Sequence, residues 1–513
     1  MPGDSRARDI RYAMESARIA LKLCSLTRRQ ILDNTPIQRW ARRWLTSRIS
    51  TGGAAPAHAF DRGQAPQSMT AKFARIRDLV SIVGAVLAAL LGESVLAGSD
   101  DAFLARNLPS YAVDDSQSLD TPNRLTPYLS LGGRLESDYR FERNLDLDPG
   151  RRDTESILEP KVALGISYRP DRNFRSFVQL ELSRDYALEE RRPRERSPKL
   201  ELTHAFMRFE HWRDNGISLQ LGRQRFRDSR EWLFDEELDG VSGFYQHSRF
   251  ALELSVTREE IVDKDLLEHE QQGRINNYMV YGAYALDAKQ HLAAYVLARD
   301  DRSARRDSPR LFGLRASGEP VERVEYWLEL AYARGRDGSR KIRGFGFDVG
   351  ATHEIVAPFR PSFTLGYALG SGDADQDDGV DRNFRQSGLQ DNEARFNGVS
   401  RFRYYGELFD PELSNLGIFT AGIGAYAASK TSLDLVYHRY TQHKASKSIR
   451  DAALNADPSG RSRRLGTEID LVVGYRGIPN LRVEFMLGYF IPGSAFPSTS
   501  HGTFARGEVR YDF

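Results

Sequence analysis

Short segments in which apolar and polar residues alternate run through the chain from about residue 125 to its C-terminus. In the segment 129–141 the odd positions are mostly Leu, Tyr and Phe, and the even positions include Arg134, Glu136, Asp138 and Arg140. The same pattern returns around Leu164, Leu180, Leu254 and Leu365. A period of two residues is that of a β-strand with one apolar and one polar face. The sequence therefore predicts an all-β fold.

The last ten residues, FARGEVRYDF, indicate what kind of all-β fold this is. Val509, Tyr511 and Phe513 fall on one face of a strand, and the chain stops on an aromatic residue. A soluble strand can also end this way. In hydrocarbon, however, no sheet edge can stay open, so a last strand must close against the first. We expect a transmembrane antiparallel β-barrel in which the charged faces line the channel.

Strand spacing predicts the size of the barrel. About 416 residues follow the export signal described below, and roughly 23 residues for each strand with its connection leave room for 18 strands. An 18-stranded barrel is preferred, with 16 strands as the alternative. Negative mean hydropathy is compatible with this, since only every second residue of a barrel strand faces lipid.

Residues 69–97 have the three parts of a secretory signal peptide. Lys72, Arg75 and Arg77 precede an apolar run, and Val95 and Ala97 then form a cleavage site after Ala97. A buried helix or a single membrane anchor is the alternative. The predicted organisation is an N-terminal extension absent from the mature protein (1–68), the signal peptide (69–97), a periplasmic N-terminal segment (98–124) and the barrel (125–513). The expected location is the outer membrane of a Gram-negative bacterium.

Composition and motifs exclude several classes of function. Residues 1–97 hold 15 Lys and Arg against 7 Asp and Glu, so the mature chain is acidic and a nucleic-acid role loses support. The single cysteine, Cys24, lies upstream of the cleavage site, which excludes disulfides and thiol catalysis. Nucleophile-elbow, zinc-protease and phosphate-loop motifs are absent from the sequence. We expect no enzyme activity and no cofactor.

Two charged segments are candidates for a channel lining. In GRQRFRDSREWLFDEELDG, residues 222–240, four arginines are followed by Asp235, Glu236, Glu237 and Asp239, which predicts ion pairs on the lumen wall. Asp381–Leu416 is the longest stretch without clean alternation, and a loop of this length often folds into or over the pore. Within it, Arg401 and Arg403 would point to one side and Phe402 and Tyr404 to the other. The alternative is a solvated loop for the first segment and an ordered surface loop for the second.

A third segment, GDADQDDG at 372–379, resembles a calcium loop in its spacing of Asp373, Asp375 and Asp377. It lacks the glycine and glutamate that an EF-hand loop requires at positions 6 and 12. We expect a solvated acidic loop and no metal site.

Three strings resemble the family of alginate-export outer-membrane barrels: GRQRFRDSREWLFDEELDGV, FRQSGLQDNEARFNGVSRFRYYGELFDPELSNL and LGYFIPG. They occur in matching order, and the resemblance covers most of residues 125–513. It implies an 18-stranded barrel with an arginine-lined constriction. The pore-lining, polysaccharide-binding residues that it implies are Arg134, Arg225, Asp235, Asp239, Arg401 and Arg403. Where the family carries lumen arginines, this chain has Glu159 and Glu484, with Met486 nearby.

The function implied by the resemblance is passive, arginine-guided secretion of an anionic polysaccharide, alginate or a similar polyuronate. A general anion or oligosaccharide porin for uptake is an alternative, and an outer-membrane enzyme or a plugged structural barrel are more distant ones. The expected partners are the polysaccharide, outer-membrane lipid and a periplasmic scaffold lipoprotein, with no nucleic acid.

Overall fold

The computed structural model describes residues 108–111, 119–151, 153–190, 196–210, 216–268, 274–375 and 377–513. The predicted N-terminal extension and signal peptide lie outside the described residues, as does most of the predicted periplasmic segment. Among the described residues, no helix is long and apolar enough to cross a membrane.

Strands dominate the described part of the chain. They are β1 (Asn123–Arg124), β2 (Leu129–Arg143), β3 (Glu155–Asp171), β4 (Phe174–Ser183), β5 (Tyr186–Glu189), β6 (Lys199–Phe209), β7 (Ile217–Arg227), β8 (Asp235–His247), β9 (Phe250–Arg258), β10 (Ile275–Ala285), β11 (Gln290–Asp301), β12 (Asp307–Val321), β13 (Val324–Asp337), β14 (Arg340–Glu354), β15 (Ser362–Gly370), β16 (Val380–Asp381), β17 (Glu393–Ala394), β18 (Phe402–Arg403), β19 (Leu416–Ala428), β20 (Thr431–Gln442), β21 (Arg464–Tyr475), β22 (Leu481–Pro492) and β23 (Gly502–Asp512). Within the described ranges, eighteen of these are long strands, and the short ones are β1, β5, β16, β17 and β18. The predicted 18-stranded antiparallel β-barrel is confirmed.

The barrel closes between its first and last long strands. β2 pairs with β23 from Arg134↔Asp512 to Arg143↔Thr503, and every other long strand pairs antiparallel with its neighbours along the chain. The terminal Phe513 exchanges two 2.8 Å backbone hydrogen bonds with Gly133. A Cβ at Gly133 would lie 2.3 Å from the Phe513 ring, so a larger residue there would displace the terminal aromatic ring. The C-terminal pattern thus has a direct structural role in closure.

Burial follows the predicted alternation. Outward side chains such as Leu164, Leu254 and Leu365 are 50%, 48% and 61% exposed, as expected for residues that contact lipid. Inward side chains such as Gln179 and Glu253 are 2% and 0% exposed, because other segments fill much of the lumen.

Connections at the two ends of the barrel differ in length. At one end, strands are joined by tight turns such as 172–173, 248–249 and 429–430. At the other end, long connections include 371–415 and 443–463. Outer-membrane barrels have short periplasmic turns and long extracellular loops. The long-loop end is therefore the extracellular end, and both termini of the barrel lie at the periplasmic end.

The wall is rearranged where β7 and β8 approach the extracellular end. Pairing of β6 with β7 stops at Ala205↔Arg223, although β7 and β8 remain paired to Arg227↔Asp235. In that region the connection after β9 is hydrogen-bonded to β6 instead, since Leu266 N donates to Leu200 O at 2.8 Å. The tip of the β7–β8 hairpin is thus released from the wall and turns into the lumen.

Candidate functional site

The connection between β15 and β19 lies inside the barrel. Phe396 stacks on Trp327 of β13, with ring centroids 6.0 Å apart. The Tyr405 hydroxyl donates to Asp348 of β14 at 3.2 Å. The backbone N–H of Leu408 donates to a Glu468 carboxylate oxygen of β21 at 2.6 Å. The loop therefore crosses the inner face of the wall from β13 to β21, and the predicted long loop folds into the pore.

Apolar burial and a small ribbon fix the shape of this loop. Phe384, Phe402, Phe409 and Leu413 are each at most 1% exposed, and full burial of such a side chain stabilises a fold by about 1.5–3 kcal/mol. Within the loop, β17 and β18 pair through Glu393↔Arg403 and Ala394↔Phe402. The extended ribbon sends alternate side chains to opposite sides.

The tip of the β7–β8 hairpin carries the predicted ion pairs. Arg223 binds Asp239 through two bonds of 2.7 and 2.8 Å. Arg225 Nε donates to Asp235 at 2.7 Å, and Arg225 also lies 3.6 Å from Glu237. These pairs form the predicted lattice, and bidentate arginine–carboxylate pairs of this kind hold a defined geometry.

Hairpin tip and long loop are bound to each other. Arg401 Nη2 donates to Glu231 at 2.8 Å, and both terminal nitrogens of Arg401 lie 3.3 Å from the Ser229 carbonyl oxygen. Asp235 N donates to Leu389 O at 2.6 Å, and Gln386 donates to the Trp232 carbonyl at 3.0 Å. Two segments 150 or more residues apart in sequence thus act as one constriction inside the lumen.

Described residues of the segment 98–124 also contact the inner wall. The Ser110 hydroxyl donates to Glu253 of β9 at 2.5 Å, and Tyr111 packs edge-on against Phe244 of β8 at 4.9 Å. Leu119 N donates to Gln179 of β4 at 3.2 Å. These residues lie within the barrel, so a periplasmic position stays a prediction only for the rest of that segment.

A cavity of about 400 Å³ remains between the long loop and the wall formed by β2, β3, β22 and β23. Ten basic and eight acidic side chains line it among the described residues. The basic ones are Arg140, Lys199, Arg227, Arg395, Arg401, Arg403, Arg476, Arg482, Arg506 and Arg510. The acidic ones are Asp138, Glu159, Asp185, Asp391, Glu393, Glu407, Glu484 and Glu508. We call this cavity the charged channel.

Many of the channel's charges are paired with each other. Arg506 lies 2.8 Å from Asp138 and 3.1 Å from Glu508, and Arg476 is paired with Glu484. Arg395, in contrast, makes no ion pair with any residue that the structure describes, and its side chain is exposed to the channel. Arg395 is therefore available to a passing anion without breaking an existing pair.

Burial of loop carboxyls reduces the negative charge of the lining. Burial raises the pKa of Glu407 to about 8, against the opposing effect of the Arg403 guanidinium. Burial likewise raises the pKa of Asp410 to about 6. At neutral pH, Glu407 is mostly protonated, so the arginines around it are less fully neutralised than a count of side chains indicates.

The predicted pore-lining residues separate into two groups. Arg401 and Arg403 line the charged channel, and Phe402 and Tyr404 are buried on the other side, as the alternation predicts. The remaining predicted residues lie outside the channel lining and are held in ion pairs. They are Arg134, bound to Asp512 at 2.7 Å, with Arg225, Asp235 and Asp239 of the hairpin tip.

Several channel residues were not singled out from the sequence. Arg395, Arg476, Arg482 and Arg506 come from the long loop and from the β22 and β23 region. Alternation identifies the inward positions of a strand, but it does not show which strands face the open part of the lumen. Glu159 and Glu484, the two family departures, both line the channel, and Met486 is buried.

Two acidic clusters bear on the prediction that no metal is bound. Among the described residues, carboxylate oxygens of Glu231, Asp391 and Glu393 lie within 4.8 Å of one another, which is close enough to hold a metal ion. Arg401 already donates to Glu231 there. In the 372–379 segment the expected solvated loop is wrong for Asp373, which is 4% exposed and lies 2.7 Å from Arg340.

Comparisons with known proteins agree with this architecture. The family described as "Alginate export" matches residues 127–506. The chain is similar to "Alginate production protein AlgE" of Pseudomonas aeruginosa, with 26% identity over 353 residues that cover 58% of this chain and 70% of that protein. Among solved structures it is similar to P. aeruginosa OccK5 (OpdH), with 12% identity, 75% and 98% of the two chains covered and a TM-score of 0.50. P. aeruginosa opdK gives 11% identity, the same coverage and a TM-score of 0.50. The two structural likenesses concern the fold.

Proposed function

This chain belongs to the alginate export family, and we propose that it forms an outer-membrane pore through which an anionic polysaccharide, alginate or a similar polyuronate, is secreted. The observation that carries the proposal is the charged channel. Ten basic side chains from the long loop, five wall strands and the turn between β21 and β22 converge on one passage inside a closed barrel. Rings of Arg and Lys of this kind favour anions in pores.

Passage of a polyuronate requires attraction without tight binding. Each sugar of such a chain carries a carboxylate, so successive residues of the polymer meet successive guanidinium groups. Acids of the lining hold arginines in intramolecular pairs, Glu484 with Arg476 and Glu508 with Arg506, and they limit how strongly the polymer is retained. A conduit must bind weakly enough at each site to release its cargo.

The long loop makes this channel narrow and keeps it in one place. Its buried aromatic side chains and its bonds to the hairpin tip, such as Arg401 to Glu231, anchor it to the wall. A fixed constriction lets side-chain charges act at short range, where salt screens them poorly.

A barrel pore conducts in both directions, so uptake of anionic oligosaccharides is the alternative function. In our proposal polymer synthesis sets the direction, and a periplasmic scaffold lipoprotein delivers the chain to the turn end of the barrel. Family and fold are those of a channel, and we propose that the protein catalyses no reaction and needs no cofactor. Turnover of a glycan by the purified barrel would contradict this.

Single-channel recording in planar bilayers tests the proposed function. Alginate and polygalacturonate oligomers should block the current at concentrations at least tenfold lower than a neutral dextran of equal length. Reversal potentials in a salt gradient should show anion preference, although the mature chain is net acidic. Equal block by dextran and polyuronate, or cation preference, would contradict an arginine-guided pathway for acidic polymers.

A further inference from the structure

Five basic side chains cover the outer, lipid-facing surface of three adjacent strands near the extracellular end. Arg310 of β12, Arg334 of β13 and Arg343 of β14 lie directly opposite one another in the strand register. One row further out, Arg336 lies opposite Lys341. All five side chains are exposed. We call this group the basic wall.

The basic wall begins where the apolar surface of the barrel ends. The outward row just below it consists of Phe312, Tyr332 and Phe345, again in register across the same strands. On β13 the outward positions from Val324 to Tyr332 are apolar or aromatic, and about 3.3 Å per residue with a tilt near 40° gives a band roughly 20 Å high. Aromatic girdles mark the membrane interface. The arginines therefore lie at the level of lipid headgroups.

These five side chains are paired with no acidic residue that the structure describes. Within the described part of the chain, none of the five makes an ion pair or a side-chain hydrogen bond, whereas inward arginines of the same strands are paired. Arg315 of β12, for example, lies 2.5 Å from Glu329, and Arg340 of β14 lies 2.7 Å from Asp373. The outward acid on the next strand, Asp300, lies 2.9 Å from Arg302. Like charges placed directly opposite on neighbouring strands destabilise a sheet unless an anion lies between them.

More basic groups continue the surface above the membrane. Arg274, Arg302 and Arg306 line a hollow of about 700 Å³ together with Gly338 and Ser339. Gly338 and Ser339 form the turn between β13 and β14, directly above Arg336 and Lys341. An anion at headgroup level would thus meet positive charge from the side and from above.

We propose that the basic wall binds the phosphate groups of a phosphorylated glycolipid, the lipid A type, in the outer leaflet of the outer membrane. Guanidinium groups form bidentate hydrogen bonds with phosphate, and three of them about 5 Å apart across the strands suit a headgroup with more than one phosphate. The acyl chains of the same lipid would lie on the apolar rows below. The secreted polymer is a poorer candidate, because the basic wall faces away from the lumen.

Native mass spectrometry of the detergent-purified, full-length mature barrel tests this proposal. The variant is the triple substitution Arg310→Gln, Arg334→Gln and Arg343→Gln, and the matched control is Arg439→Gln. Arg439 of β20 is also exposed on the outer face, but it stands alone between Phe419 and Thr467. The lipids are bisphosphorylated lipid A, monophosphorylated lipid A and phosphatidylethanolamine, and inorganic phosphate in all samples removes any effect of the free anion.

The parent and the Arg439→Gln control should bind bisphosphorylated lipid A with dissociation constants within twofold of each other. The triple variant should bind it at least tenfold more weakly, and monophosphorylated lipid A should bind the parent more weakly than the bisphosphorylated form. Equal binding by the triple variant, or equal binding of phosphatidylethanolamine to the parent, would overturn the proposal. So would displacement of bound lipid A by polyuronate oligomers, which would assign the basic wall to the polymer.

Folding of the variant is checked by heat-modifiable migration on gels, which should stay intact because the apolar rows are unchanged. If the triple variant does not fold, the salt dependence of lipid A binding to the parent protein tests the proposal instead. Lipid A binding to the parent should weaken at least tenfold between 0.1 and 1 M salt, as expected for several phosphate contacts that salt screens over about 3–10 Å. Binding that is insensitive to salt would contradict a phosphate site.

Discussion

Replacement of Arg395 by Gln isolates the electrostatic contribution of one channel cation to polymer binding. Arg395 lines the charged channel and has no ion-pair partner among the described residues, so its removal leaves no carboxylate unpaired. Arg506 would be a poorer choice, because its replacement would remove the ion-pair partner of Asp138 and Glu508.

The expected magnitude follows from the distance at which a uronate carboxylate can approach. At about 4 Å the attraction is about 1 kcal/mol at the dielectric constant of water and about 4 kcal/mol at an effective value near 20. A water-containing channel lies between these limits, and about 2 kcal/mol corresponds to a change of roughly 30-fold in a dissociation constant.

We therefore expect Arg395→Gln to raise the concentration of alginate or polygalacturonate oligomer needed for half-maximal block by roughly 5- to 30-fold at 0.1 M salt. The effect should shrink at 1 M salt, where the screening length falls to about 3 Å. Arg395→Lys should retain most of the block, and Arg439→Gln on the lipid-facing surface should leave it unchanged. Single-channel recordings measure all four proteins. A change of less than twofold for Arg395→Gln at low salt would show that the polymer does not pass this residue.

Four further predictions concern the loop, closure and export. Glu407 has a raised pKa of about 8, so its contribution to loop stability is fully present below about pH 4.5 and is lost as the pH rises through about 8. Anion preference should fall between pH 7 and 9, and Glu407→Gln should remove this dependence in reversal-potential measurements. Phe396→Ala removes the stack on Trp327 and should destabilise the loop by about 3–5 kcal/mol. Open-channel noise should increase, and proteolysis within 383–413 should become faster. Unchanged proteolysis would argue against Phe396 as an anchor of the loop. Deletion of Phe513 removes both hydrogen bonds to Gly133 and should reduce the heat-modifiable fraction on gels. Mass spectrometry of outer-membrane protein should find a mature N-terminus at Gly98, and a mature chain that retains residues 1–68 would refute the signal peptide.

The amino-acid sequence by itself was sufficient for the class and size of the fold. Alternation in segments such as 129–141 is a local property, because each strand must present one face to lipid whatever its neighbours are. The terminal aromatic predicted closure, which the structure forms between Phe513 and Gly133. The long interruption of alternation at 381–416 predicted a loop in the pore for the same local reason. Charge order in 222–240 predicted ion pairs, which need only a hairpin to meet.

Only the tertiary structure decided which inward charges share the open passage. Arg134 and Arg225 satisfy the alternation rule as well as Arg401 does. Arg134, however, forms an ion pair with Asp512 where β2 and β23 close the barrel, and Arg225 forms one with Asp235. The long loop covers the wall from β13 to β21, so the channel is left beside β2, β3, β22 and β23. The basic wall is likewise invisible along the chain, because Arg310, Arg334 and Arg343 become neighbours through strand register alone. Convergence of distant residues depends on register, strand order and loop packing, and one-dimensional periodicity carries information about none of these.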